Sequence, residues 1–218
     1  MRAKRALEDA RRTIARLAEV KPAGVVFTSG ATEANNLALT GAVMALKESE
    51  TADRKGGIHI LYLPSAHTSV TETLKSLARL AQGKVEIESL MITNGKVDLV
   101  RLKEQLRPET SLVALDAVCG ETGTRWDTRA VRNAIDSWEK ETRASRVLLH
   151  VDASQAPLGL PWSLTRLSAD MLVVDAQKVG GVLGTGALCM RSRVRLSPLM
   201  RGGGQEAGLR PGTESVAG

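Results

Sequence analysis

Lys178 stands just past an apolar run, Met171-Leu172-Val173-Val174, and just before a glycine pair, Gly180-Gly181. A lysine so placed reads as buried, and burial lowers an amine's pKa and frees its lone pair for attack on a carbonyl carbon. The structural alternative is a lysine that reaches solvent or pairs with a neighbouring carboxylate. Asp152 closes a second apolar run, Val147–Val151, where a lone carboxylate is costly to desolvate and needs a cation or several donors. A helix N-cap position would also supply donors. His67 follows a third run, Ile58–Leu63, and either starts a helix or lies as an aromatic lid over a flat ligand. Thr28-Ser29-Gly30-Ala31-Thr32 follows a fourth. Its small residues let the backbone approach an anion, and a helix beginning there offers free N–H groups and its positive dipole end. The same Ser and Thr are also ordinary N-caps. An anion cradle, a lone acid, an imidazole and a buried amine are together what pyridoxal phosphate requires, the acid keeping a proton on the ring nitrogen.

The elements that must position these residues follow from the hydrophobic pattern. Leu7, Ala10, Ile14, Leu17 and Ala18 share one face of a helix over residues 3–19, stopped by Pro22 and Gly24. Short Val/Leu/Ile-rich strands are expected at 25–28, 58–63, 84–90, 111–118, 146–151, 171–175 and 186–190. Helices are expected to follow at about 31–47, from Thr68 to about Gln82, at 98–106 and at 128–142 with Trp138 inward. Residues 48–57 read as a polar loop, and the glycine-rich stretch 200–218 as an extended one. Strands alternating with helices predict a three-layer α/β/α sandwich around a mostly parallel sheet. In such a sheet ligands bind beyond the carboxyl ends of the strands, where all four chemical stretches fall.

The 218 residues are 43% hydrophobic and 25% charged, ordinary for a folded domain. Cys119 and Cys189 cannot build a disulfide framework or fill a zinc site, and they read as reduced, buried thiols. No apolar stretch approaches a membrane span and no secretory h-region opens the chain, which predicts a cytoplasmic protein without a membrane partner. The net charge of +6 raises nucleic acid as a partner, but aromatic residues make up 2% and offer little for base stacking. A small phosphate-bearing ligand is a better use of that charge.

FTSGATEANNLAL, SAHTSV, HVDASQA, AQKVGG with GTGAL, and GGGQEAGLRPGTESVAG resemble, in order and approximate spacing, successive blocks of the cysteine desulfurase family. These are fold-type I pyridoxal-phosphate enzymes, and the resemblance runs from about Val25 to the last residue. It implies the large cofactor-binding domain over 25–218, preceded by an N-terminal helix over 1–24, with no C-terminal domain and a chain truncated at both ends. It implies Lys178 as the Schiff-base lysine, also placed for proton transfer at the substrate's α-carbon, and Asp152 as the acid at the ring nitrogen. Gln155 matches the contact to the ring's phenolic oxygen and His67 the stacked, catalytic imidazole. Ala31, Thr32 and Gln177 fall among the phosphate contacts, and Thr213 matches a threonine that reaches the partner subunit's phosphate in a homodimer.

The implied reaction turns L-cysteine into L-alanine and an enzyme persulfide whose sulfur passes to an acceptor protein for iron–sulfur clusters or tRNA thiolation. A selenocysteine lyase or aminotransferase of the same fold type is the neighbouring alternative, and an inactive scaffold fragment the non-enzymatic one. Two departures bear on this. The family's Ser-x-His-Lys is here Asp175-Ala176-Gln177-Lys178. A carboxylate at that place would repel a phosphate dianion, so Asp175 is expected to point elsewhere or phosphate binding to be weaker. The family's Asn-Asn-Glu is Cys119-Gly120-Glu121. Neither cysteine matches the sulfur-accepting position, and the chain alone is expected to sustain no desulfuration.

Overall fold

The computed structural model describes residues 2–49 and 57–216, so most of the expected polar loop at 48–57 lies outside the described residues. The chain runs α1 (Arg2–Ala18), β1 (Val25–Thr28), α2 (Ala31–Glu48), β2 (Ile58–Tyr62), α3 (Thr68–Leu80) and β3 (Val85–Ser89). It continues through β4 (Ile92–Thr93), β5 (Lys96–Val97), α4 (Leu99–Gln105), β6 (Thr110–Asp116), α5 (Thr128–Thr142), β7 (Leu148–Asp152), β8 (Met171–Asp175) and β9 (Gly186–Met190). Seven strands form one sheet in the order β1-β9-β8-β7-β6-β2-β3. β2, β3, β6, β7 and β8 pair in parallel, and β9 lies antiparallel to both β8 and β1.

Every residue of β6 and of β8 is buried, the signature of strands covered on both faces. α2 packs on β1, β7, β8 and β9 and against α3, and α4 packs on α5. The core is built from branched aliphatics such as Ile60, Leu61, Leu112, Leu115 and Leu149, all with almost no exposed surface. Each is worth about 1.5–3 kcal/mol by removal from water.

Two features depart from the sequence expectation. α1 buries Leu7, Ala15 and Ala18 but leaves Leu17 45% exposed, because the stripe through 7, 11, 15 and 18 faces the domain rather than the one through 10 and 17. Arg11 fills the middle of that stripe. Its guanidinium donates to both oxygens of buried Glu206, at 2.6 and 2.8 Å, and to the Val25 carbonyl, and it lies over the Phe27 ring. Glu206, in the glycine-rich loop, also accepts from the Phe27 N–H and ties that loop to β1. The small β4–β5 hairpin was not expected. Asn94 and Gly95 both adopt positive φ, as a two-residue primed turn requires.

Candidate active site

The parallel topology brings the ends of β1, β6, β7, β8 and β2 to one edge of the sheet. Three of these strands, β6, β7 and β8, end in aspartate: Asp116, Asp152 and Asp175. Asp116 and Asp152 sit opposite each other in the ladder.

Asp152 is 8% exposed and well supplied with donors. Oδ1 accepts from the Ser154 N–H at 2.9 Å and from the Ser154 hydroxyl at 2.6 Å, and Oδ2 accepts from Asn35 Nδ2 at 2.7 Å. Asn35, fully buried on α2, is the hub of a network. Its Nδ2 also donates to Ser69 Oγ at 2.9 Å, and its Oδ1 faces His150 Nε2 at 3.0 Å. Because Nδ2 is committed to a carboxylate, Oδ1 must be the acceptor, and His150 carries its proton on Nε2. Burial pushes the His150 imidazole well below its ordinary pKa, so it stays neutral. Ser69 carries the network on to His67, whose Nδ1 accepts from the Ser69 N–H at 3.1 Å and lies 2.8 Å from Ser69 Oγ.

Asp116 is the opposite case. Its Oδ1 is buried with no hydrogen-bond partner among the described residues. Burial first, and the neighbouring charge of Asp152 second, push its carboxyl up to about 8, while the His67 backbone N–H pulls weakly the other way. It is a protonated acid at neutral pH.

Asp175 lies at the start of α2. Oδ2 accepts from the Ala31 N–H at 2.9 Å and Oδ1 from the Gln177 N–H at 3.1 Å. Of the two expected outcomes, the first does not hold: Asp175 does not turn away, and its carboxylate is inside the cradle. The Ala31 N–H at the first turn of α2 is the nearest donor to a strand-end carboxylate, and it outcompetes solvent.

The remaining expected residues fall as follows. Lys178 is exposed, in a short 3₁₀ turn (Ala176–Val179) that leaves β8 outward, which corrects the reading of a buried amine. His67 begins α3 as its N-cap and is exposed, so the helix-start reading holds locally without removing it from the edge. Gln155 is half-buried beside Gly120, close enough that a Cβ at Gly120 would come to 3.1 Å from Gln155 Nε2. Gln177, Thr32 and Thr213 are exposed and Ala31 is partly so. The network thus joins Asp152 to His67, and Asp175 to Ala31 and Gln177.

Sequence reasoning missed Asn35, Ser69 and Ser154, and it treated His150 as packing. An asparagine pair, Asn35-Asn36, one turn into the helix and just before the apolar run Leu37-Ala38-Leu39, was the available signal. Cys119 and Cys189 are both buried and free, and burial pushes the Cys189 thiol up to about 12. Hydrogen bonding from Thr122 first lowers the Cys119 thiol's pKa. Among the described residues no helix is long and apolar enough to cross a membrane.

The chain is similar to known proteins over nearly its whole length. The aminotransferase class-V family profile matches residues 1–216. A cysteine desulfurase IscS from Methylobacillus flagellatus is 37% identical over 213 residues, covering 97% of this chain and 49% of that protein. A mitochondrial cysteine desulfurase from Arabidopsis thaliana is 37% identical over 214 residues, covering 97% of this chain and 44% of its own. The chain thus spans about half the length of the curated relatives it matches. Among solved structures, a NifS-like protein superposes with a TM-score of 0.86 at 33% identity, over 99% of this chain and 55% of that one. DndA from Streptomyces lividans gives 0.79 at 36% identity, over 99% and 57% respectively.

Proposed function

The chain belongs to the class-V aminotransferase family, and from that membership we propose that residues 25–218 are the cofactor-binding large domain of a cysteine desulfurase. The family depends on pyridoxal phosphate. At the ring end the residues suit that group. Asp152 accepts three hydrogen bonds, and a carboxylate has about four lone-pair positions, which leaves one for a protonated ring nitrogen. At the phosphate end the fit is poorer, because Asp175 already holds the Ala31 N–H.

In this reading Lys178 would hold the cofactor through its amine, which its exposure leaves reachable. Asp152 would hold the proton on the ring nitrogen, and the network through Asn35 keeps that carboxylate aimed. His67, fixed through Nδ1, would stack on the ring, and Gln155 would contact the phenolic oxygen. By the resemblance Ala31, Thr32 and Gln177 would face the phosphate, with Thr213 of a second copy in a homodimer, although Asp175 already takes the Ala31 and Gln177 N–H groups. The bound cofactor would supply an electron sink for charge developing at the substrate's α-carbon. Lys178 would be the group that moves the proton at that carbon. The substrate is L-cysteine, the products are L-alanine and sulfur destined for an acceptor protein, and the setting is cytoplasmic. Neither Cys119 nor Cys189 serves as the sulfur-accepting thiol, Cys189 because burial keeps it protonated.

The hydrogen-bonded arrangement Asn35–Asp152–Ser154 at the end of β7, one strand from Lys178, carries this reading. Its test is the visible spectrum after addition of pyridoxal phosphate to the wild type and to Lys178→Ala. A visible band from a lysine-bound cofactor should appear in the first and be absent from the second. The same band in both, or in neither, would remove Lys178 from the role.

A further inference from the structure

We propose that Asp175 is an internal anion seated at the phosphate end of the site, so that this chain gains little from a cofactor's phosphate and takes pyridoxal about as well as pyridoxal phosphate. The inference rests on the reading above only for the cofactor's identity; the seat of the carboxylate is observed directly.

The geometry begins at Gly30, whose φ of 137° is open to glycine and rarely to other residues. That conformation turns the chain from β1 into α2 with the Ala31 N–H facing the end of β8. Asp175, 7% exposed, meets it with Oδ2 at 2.9 Å. Its other oxygen takes the Gln177 N–H, so the backbone on both sides of the cradle bonds to one carboxylate. No spacer separates the two elements. Gly186 pairs with Asp175 in the ladder, and a Cβ there would come within 2.7 Å of the Gly30 backbone.

A second carboxylate sits on the same turn. Glu33 Oε2 accepts from the Ser29 N–H at 2.6 Å, and its Oε1 is paired with Arg210 Nε at 2.9 Å. A phosphate dianion entering here would meet two carboxylates while the nearby guanidinium is already paired. It would also compete with a side chain that loses no translational freedom on occupying the cradle. A helix N-terminus stabilises one anion well, and this one has its own.

Pyridoxal and pyridoxal phosphate titrated separately into wild type, Asp175→Asn, Asp175→Ser and Lys178→Ala test this, with the visible band and the melting temperature both recorded. Asn keeps the shape and removes the charge; Ser also clears the cradle. Wild type should bind the two compounds within about threefold of each other. Asp175→Ser should bind the phosphorylated compound roughly ten- to a hundredfold more tightly and leave pyridoxal unchanged. Wild type already preferring the phosphorylated compound by about tenfold or more, or a preference that neither variant moves, overturns the proposal. If no band forms with either compound, the Lys178 reading fails on its own, and inorganic phosphate then decides. A phosphate-dependent rise in melting temperature in Asp175→Ser that wild type lacks supports the internal anion, and no such gain overturns it.

Discussion

Asp152 and Asp175 end neighbouring strands of one sheet, and each accepts through Oδ1 the backbone N–H two residues further on. Locally they are the same device. They differ in what Oδ2 finds, one turn apart on the same helix: Asp152 reaches the side chain of Asn35, and Asp175 the backbone N–H of Ala31. The first contact ties a carboxylate into a buried network that leaves it one acceptor position to offer outward. The second uses a carboxylate to close a place where an external anion would bind. One edge of a sheet thus holds a ring end that is prepared and a phosphate end that is already filled.

The sharpest way to break this contrast is at Asn35. Replacing it with Ala leaves Asp152 Oδ2, the His150 Nε2–H and Ser69 Oγ each one partner short in a buried site. The expected loss is on the order of 3–5 kcal/mol, seen as a fall in the denaturant midpoint. Asn36→Ala is the comparison. That side chain bonds the Thr32 carbonyl and Thr73 Oγ1 in a more exposed position, so its loss should be about 1 kcal/mol or less. Equal losses at the two positions would mean that Asn35 is no hub.

Asp116 supplies the next effect, through pH. Its folded pKa, about 8, lies above the ordinary 3.8, so between those values the folded chain binds the extra proton. Stability from this group therefore falls as pH rises from about 4 towards 8 and levels off above. Asp116→Asn keeps the shape of the protonated acid and removes the titration. The variant should match wild type near pH 4 and exceed it by a few kcal/mol near pH 8 in paired denaturation curves. His150 works in the opposite direction. Its depressed pKa makes its contribution complete above the ordinary imidazole value and lost as pH falls, but it is common to both proteins and cancels in the difference. A pH-independent difference would mean that Asp116 is ionised beside Asp152.

How much of this was legible in the sequence depends on range. The strand–helix alternation placed all seven strands of the main sheet and five helices, because period-2 and period-3.6 patterns are local properties of the chain. Asp152 stood out because it closes an apolar run. Lys178 was misread as buried for the same reason, since the pattern shows where β8 ends but not that the next turn leaves outward. Asn35 and Asn36 are adjacent identical letters, and only the helix's rotation against β7 decides which faces Asp152. Asp175 was expected either to avoid the cradle, on the argument that an anion site repels anions, or to weaken phosphate binding. That argument assumed a ligand in place, whereas the bare helix start attracts the carboxylate.

The smallest effect tests the contrast most directly. Asp175→Asn retains an oxygen for one of the two backbone donors but brings an NH2 against the other, and it forfeits the favourable charge at the start of α2. Loss of such a cap costs about 1 kcal/mol. Asp152→Asn should cost more, on the order of 2–3 kcal/mol, because its amide would face Asn35 Nδ2 or the Ser154 donors with no route to water. The ordering is informative because it separates a carboxylate the fold depends on from one that fills a site. If Asp175→Asn proves the costlier of the two in parallel urea denaturations, Asp175 is holding the sheet to α2, and a phosphate could gain access there only by weakening the fold. If it proves the cheaper, as expected, Asp175 fills the cradle without holding the fold together, and replacing that one side chain is enough to open the cradle to an external anion.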